Sequence, residues 1–250
     1  MRRKKASVSQ PRKSPSQARS ASTLETVLEA TVQVILLDGP KKLTTTRVAY
    51  RAGFSVGTVY QYYANKDSLL YAVVQRHLQR VANAVEGACL GLHRCSLERM
   101  VAGFVDSFFT ASTAQNLEAR AFYLVWPELD TGELVQETYR RLESATIAML
   151  ESSSRLEGEQ LPVVAFMLTS TLLGSTRLAF EQHASDHLMQ LLRKQLTTMC
   201  GAYVSSIASG QSPLSKCGNE TCVSAAAPEE KSIDAARVEL KTPTMVQTQS

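Results

Sequence analysis

Between Thr44 and Leu70 the sequence TTTRVAYRAGFSVGTVYQYYANKDSLL collects side chains suited to one chemistry, hydrogen bonding to phosphate oxygens and base edges. The hydroxyls of Thr45, Thr46, Ser55, Thr58, Tyr60 and Tyr62 fit phosphate oxygens, as do the cations of Arg47 and Lys66. Gln61 can meet an adenine edge with a donor and an acceptor together. The elements that must position these groups follow from the punctuation. Thr44, Thr45 and Thr46 are three candidate N-caps for a helix through Arg47, Val48 and Ala49 to about Arg51. Gly53 permits a left-handed turn, and Ser55 caps a second helix opening on Val56, Gly57 and Thr58. Asn65 caps a third at Lys66, with Asp67 in its first turn, where the helix dipole favours an acid.

A helix, a glycine turn and a second helix make a helix-turn-helix, whose second member enters a DNA major groove. Small Ala49 and Gly53 let the two helices approach, and Val48, Phe54 and Val59 supply the apolar contact between them. The second helix is then expected to expose Val56, Gly57, Thr58, Tyr60, Gln61 and Tyr62.

The ordered set is longer than a bare helix-turn-helix. A threonine-rich start (Thr45, Thr46) leads to Ala52-Gly53-Phe54-Ser55 and then Gly57-Thr58-Val59-Tyr60. The exit is Tyr62-Tyr63-Ala64-Asn65-Lys66-Asp67-Ser68-Leu69-Leu70. From about Leu24 to Leu70 this resembles the N-terminal domain of the TetR/AcrR family of bacterial transcriptional regulators. Tyr63 stands where that family more often has Phe. Val56 stands where many members carry a polar or basic residue, so base preference does not carry over.

The chain has 250 residues, 44% of them hydrophobic, which suffices for a sizeable core. Its formal charge of +4 is unevenly placed. Residues 1–20 hold Arg2, Arg3, Lys4, Lys5, Arg12, Lys13 and Arg19 and no acid; without these seven, 20 basic residues face 23 acidic ones. This Ser-, Gln- and Pro-containing arm is expected to be disordered, either touching phosphate or the minor groove or serving as a solubilising tail. No apolar stretch follows it, so it is not a secretory signal. The apolar run 161–180 is interrupted by Thr169, Ser170, Thr171, Ser175, Thr176 and Arg177 and reads as a buried helix rather than a membrane span. Five cysteines at irregular spacing give no zinc pattern; Cys217 and Cys222 could pair but lie in a tail without structural signals. A reducing cytoplasm is the expected setting.

Periodicity makes the rest helical, so the fold class expected is all-α. A first helix from Ser22 or Thr23 to Leu37 carries Leu24, Val27, Leu28, Thr31, Val34 and Ile35 on one stripe and stops at Asp38-Gly39-Pro40. Lys41 and Lys42 then form either a DNA clamp or a solvated loop. A helix from Lys66 buries Leu69, Leu70, Val73, Val74, His77, Leu78 and Val81 and is expected to break near Gly87–Cys95. Further stripes are Leu97, Val101, Phe104, Val105 and Phe108, then Leu117, Ala121, Leu124 and Val125, ending at Trp126-Pro127. Helices follow at 134–150, 161–183 and 186–207. The first of the last pair is apolar on more than one face, which calls for a second surface to cover it. The domains expected are an arm (1–20), a helix-turn-helix domain (21–68), a helical effector-binding and dimerisation domain (69–208) and a disordered tail (209–250).

The sequence has no Gly-rich phosphate loop, no His-Glu-x-x-His and no Gly-x-Ser-x-Gly turn, and neighbouring acids such as Glu128 and Asp130 or Glu157 and Glu159 read as solvated. No catalytic residue, metal ligand or cofactor is expected. The family resemblance implies a small-molecule effector pocket among the middle helices, for which Phe104, Phe108, Phe122, Trp126, Tyr139 and Met167 are the candidates. It also implies a homodimer through the last two helices, with Phe166, Leu173, Arg177, Leu192, Leu196, Met199 and Tyr203 as interface candidates. The implied partners are a double-stranded DNA operator, the effector and a second copy of the chain, with no membrane. The implied function is a ligand-released repressor on a palindromic site. The alternatives are nucleoid organisation or cell division by the same fold, or a helical carrier or enzyme without DNA function.

Overall fold

A computed structural model of the chain describes residues 18–210, apart from 115, 127, 128, 130, 154 and 157. Most of the basic arm, nearly all of the C-terminal tail with Cys217 and Cys222, and Glu128, Asp130 and Glu157 lie outside the described residues. All regular structure among the described residues is helical: α1 (Ala18–Asp38), a 3₁₀ turn (Pro40–Lys42), α2 (Thr45–Ala52), α3 (Val56–Tyr62), α4 (Lys66–Gly91), α5 (Leu97–Thr113), α6 (Asn116–Val125), α7 (Gly132–Glu151), α8 (Gln160–Glu181) and α9 (Asp186–Ala208).

Two apolar clusters organise these helices. The first joins Val27 and Ile35 of α1, Val48 of α2, Val59 of α3 and Leu69, Val73 and Val74 of α4, all fully buried. It continues into Phe122 and Val125 of α6. The second joins Val85 of α4, Phe104 and Val105 of α5, Leu142 and Met149 of α7, Leu168 of α8 and Cys200 and Val204 of α9. The division falls inside α4, between Leu78 and Val81, rather than at its start. One continuous helix therefore belongs to both cores, and a tilt of α4 in one is felt in the other.

Several boundaries differ from the pattern. α4 runs straight through Gly87 and ends at Gly91, because a single helical glycine costs only about 1 kcal/mol against the burial of Val85 and Cys89. In α6 the buried residues are Glu118, Ala119, Ala121, Phe122 and Val125, whereas Leu117 and Leu124 are 59% and 44% exposed. The aromatic Phe122 fixes which side of that short helix faces inward: it stacks on His77 of α4 at 4.4 Å between ring centroids.

By length and composition alone, α1 and α8 could each cross a membrane. α1 instead packs its apolar stripe against α2, α4 and α6. α8 buries Leu161, Val164, Leu168 and Leu172 on one side and leaves Val163, Phe166, Met167 and Leu178 exposed on the other. It is a boundary helix, and its outer apolar face is uncovered in the single chain.

Candidate nucleic-acid interface

Each end of the helix-turn-helix is held by a cap that the sequence supplies. Of the three threonines, Thr44 is the one that caps α2, its hydroxyl accepting from the Arg47 amide at 3.2 Å. Gly53 closes α2 in the left-handed region (φ 72°) and donates its amide to the Ala49 and Tyr50 carbonyls. Ser55 caps α3 by accepting from the Thr58 amide at 3.0 Å, and its hydroxyl also contacts the Thr58 hydroxyl at 2.9 Å. Asn65 and Ser68 form a reciprocal capping box at the start of α4, leaving Lys66 exposed in its first turn.

Thr45 points inward and is buried, and its hydroxyl donates to the Tyr60 hydroxyl at 3.1 Å. That bond ties α2 to α3 and sets the orientation of a half-exposed tyrosine on the outer face of α3. Thr46, Gly57 and Gln61 are exposed beside it. Val56 and Tyr62, expected on the outer face, instead pack partly against the apolar cluster beneath. The reason is helical geometry: burying Val59 on a seven-residue helix draws in the residues three positions to either side.

Arg47 is not an unengaged cation. Its guanidinium forms an ion pair with Asp38 at 3.0 Å and reaches the Lys42 carbonyl at 3.4 Å. Arg51 is drawn back in the same way, donating to Gln33 at 2.6 Å. Lys41 and Lys42 are exposed on the short turn between α1 and α2. The surface that results presents hydroxyls, one carboxamide and a few cations on a rigid frame. Such a surface can bond phosphate oxygens along its edges and a base edge through Gln61. Beneath it Tyr63 is 2% exposed, and burial pushes its phenol up to about 12, with Arg76 nearby offsetting part of that shift.

Sequence comparison accords with this geometry. The model described as "Bacterial regulatory proteins, tetR family" matches residues 27–73, and "Tetracyclin repressor-like, C-terminal domain" matches residues 96–203. The chain belongs to the TetR family. It is thus a DNA-binding transcriptional regulator, with an N-terminal helix-turn-helix domain and a larger helical C-terminal domain. Over 154 residues it is 27% identical to the HTH-type transcriptional regulator BetI of Cronobacter sakazakii, covering 59% of this chain and 74% of that one. A second BetI, from Escherichia coli, aligns over 100 residues at 27% identity, so the chain spans about half of its length (51%) and 40% of this chain is covered. Among solved structures, a TetR-family protein of Mesorhizobium loti superposes with a TM-score of 0.64 at 17% identity, covering 76% of this chain and 98% of its own. SmeT in complex with triclosan superposes with a TM-score of 0.57 at 22% identity, covering 73% and 91%. At such identities the two structures speak for the fold.

In the C-terminal domain of this TetR-family chain the candidate effector residues do not converge. Phe104 and Phe108 are closed inside the second apolar cluster and Phe122 inside the first. Large aromatics at helical spacing here fill the core. Trp126 and Tyr139 instead line a cavity of about 400 Å³ between the end of α6, α7 and α8. Three residues expected at the dimer face, Phe166, Leu173 and Arg177, line the same cavity. Met167 is on the exposed face of α8 and outside that lining. Of the α9 candidates, Met199 is 50% exposed, Leu192 and Tyr203 are half-buried, and Leu196 is a core residue at 5% exposure. Leu196 faces α5 because it shares the inward stripe of α9 with Cys200 and Val204.

One constellation carries no motif in the sequence. Glu118 of α6 is 2% exposed and accepts two hydrogen bonds from Arg80 of α4, both at 2.8 Å. Arg76, one turn earlier, lies 2.7 Å from the same carboxylate and pairs with Glu25 (2.8 Å) and Glu29 (3.1 Å) of α1. Two arginines four apart on the inward side of an apolar helix were the available signal; their partner in α6 was not. The network links α1 of the DNA-binding domain through α4 to α6. Among the described residues no group of three or more potential metal ligands gathers.

Proposed function

We propose that this regulator is a homodimeric repressor that binds a palindromic operator and is released by a small organic effector. The observation that carries the DNA half is the exposed Tyr60–Gln61 edge of α3, held in one orientation by the Thr45 hydroxyl and by capped ends. Two such edges related by a two-fold axis fit successive major grooves. The dimer half is supported by apolar surface on the last two helices: Val163, Phe166, Met167 and Leu178 on α8, and Leu188, Leu191 and Met199 on α9, all more than 40% exposed. Large apolar side chains left exposed on the last two helices suit an interface. The effector half is supported by the cavity between α6, α7 and α8. That the related fold of SmeT has been solved with triclosan is in keeping with it. Under this reading the working domains are 21–68 and 69–208, and the site of action is the cytoplasm.

Effector release requires tighter binding to the conformer whose two heads are wrongly spaced for DNA, since equal affinity for both conformers shifts nothing. A mobility-shift titration against DNA flanking the protein's own gene, with excess random DNA at two salt concentrations, tests the proposal. A discrete shift at two chains per site supports it. A diffuse, salt-sensitive smear with no preferred sequence after selection from random DNA rejects it.

A further inference from the structure

We infer that Arg76 is a positioning residue for DNA recognition. Gripped between Glu118 of α6 and Glu25 and Glu29 of α1, it sets the angle of the DNA-binding domain on the helical body. That angle fixes the half-site spacing that two recognition helices accept. The spacing consequence rests on the homodimer proposed above; the grip does not.

Arg76 leaves α4 where α1 and α6 both pack on that helix. Its guanidinium donates to Glu25 at 2.8 Å, lies 3.1 Å from Glu29 and stands 2.7 Å from Glu118. The two sides of the grip differ in stiffness. Glu118 is buried and both its oxygens accept from Arg80 at 2.8 Å, so it is a fixed anchor on the body. Glu25 and Glu29 are exposed, one turn apart on α1, and form the adjustable side. Arg76 Nη2 is close to Glu118 and Glu29 without being aligned for a hydrogen bond to either, whereas Nη1 is aligned on Glu25.

The cluster is poorly suited to stability alone. Six buried side-chain nitrogens and oxygens among the described residues have no hydrogen-bond partner, and four of them are Arg76 Nε, Arg76 Nη2, His77 Nδ1 and Arg80 Nη1. Stranded donors are costly, and apolar side chains of the same volume often pack such a junction as stably. What the ions add is direction. The apolar cluster shared by α1 and α6 resists separation but has no preferred angle. A guanidinium shared by three carboxylates holds in a narrow range of geometries.

α1 carries that angle to the DNA face. Arg51 on Gln33 and Arg47 on Asp38 fasten α2 to α1, and the Thr45–Tyr60 bond fastens α3 to α2. Gln33 and Asp38 lie about 12 Å and about 20 Å beyond Glu25 along the helix. A small tilt at the grip therefore becomes a larger displacement of α3.

The test uses the full-length protein, the duplex that it selects from random sequence, and the same duplex with a single base pair inserted between the half-sites. Wild type is expected to bind the native spacing at least about tenfold more tightly. Arg76→Lys keeps the charge but has no planar fork to share. Glu25→Gln combined with Glu29→Gln keeps the shapes but removes the adjustable side. Each is expected to cut the spacing preference by about threefold or more. The melting temperature of the glutamine double variant stays near that of the wild type, because the pairs it loses are exposed. Reading a ratio of two duplexes cancels the change in net charge. An unchanged spacing preference in either variant overturns the inference. So does a lowered melting temperature with the preference intact, which makes the cluster a stabiliser only. If the wild type itself binds one chain per duplex and ignores the spacing, the homodimer reading falls and this inference falls with it.

Discussion

The Thr45 hydroxyl donates to the Tyr60 hydroxyl at 3.1 Å, across 15 residues of chain and the junction of α2 with α3. Thr45 is 8% exposed and Tyr60 47%, so the two ends of this bond differ in what they lose when it is cut. Tyr60→Phe strands a buried hydroxyl and is expected to lower stability by about 1 kcal/mol. Thr45→Val frees only a hydroxyl that water can reach and should cost less. Both variants are expected to weaken binding to operator and random DNA by a similar factor, because they disturb the seating of α3 rather than a base contact. Urea melts of the two single variants and the double variant, with parallel mobility shifts, check this; a Tyr60→Phe protein as stable as wild type contradicts it.

Gln61 is exposed on the same helix and is the one side chain there with a paired donor and acceptor. Gln61→Ala is expected to lower the preference for operator over random DNA by about 1–3 kcal/mol while leaving random-DNA affinity nearly unchanged. Competition titrations read the ratio directly. Equal losses on both DNAs would remove Gln61 from base recognition.

Glu118 holds its carboxylate between Arg76 and Arg80 with 2% of its surface exposed. Glu118→Gln keeps the shape but removes the charge that two partly buried guanidinium groups face. Breaking one side of a buried ion pair costs about 3–5 kcal/mol. The expected result is a large drop in the urea midpoint, partly recovered in a Glu118→Gln, Arg80→Met double variant. A loss below about 1 kcal/mol would show that Glu25 and Glu29 suffice for Arg76 and that water solvates Arg80.

His77 is buried against Phe122, and burial, with Arg80 and Arg76 adding to it, pulls its imidazole down from 6.5 to about 3. The folded chain therefore binds fewer protons than the unfolded chain between pH 3 and pH 6.5. Stability contributed by neutral His77 is fully present above pH 6.5 and is lost as pH falls toward 3, with a slope approaching about 1.4 kcal/mol per pH unit. In His77→Phe that part of the slope is expected to vanish. Unfolding free energies at pH 4.5, 5.5 and 7 for both proteins decide the matter; parallel curves would place the acid sensitivity elsewhere.

His183 sits in the left-handed region (φ 53°) just past α8, where Ala184 donates its amide to the Ala179 carbonyl at 2.9 Å. This is the helix-ending turn that favours glycine. His183→Gly is expected to raise stability by about 0.5–1 kcal/mol, because the strain relieved exceeds the entropy added to the unfolded chain. A lowered melting temperature in that variant would mean that the imidazole makes a contact worth more than its backbone strain.

The local elements and the DNA-facing motif were legible in the sequence because they depend on neighbours in the chain. A threonine, a glycine, a serine and an asparagine at the right spacing specify where α2 and α3 begin and end and where α4 begins. The period of apolar residues specifies the remaining helices to within a turn or so. Which side of a helix meets which partner is not local, and there the pattern misled. Leu117 and Leu124 are outside while Glu118 is inside, because α6 is only ten residues long. Its orientation is set by Phe122 on His77 and by two arginines of α4. Phe104 and Phe108 fill the core because α5 is enclosed by α4, α7 and α9. Trp126 and Tyr139 border a cavity because α8 stands off from them, leaving room over Gly174. The chain by itself determined a helix-turn-helix on an all-helical body. Only packing decided which of its aromatics are core and which are wall, since burial depends on what lies across the gap.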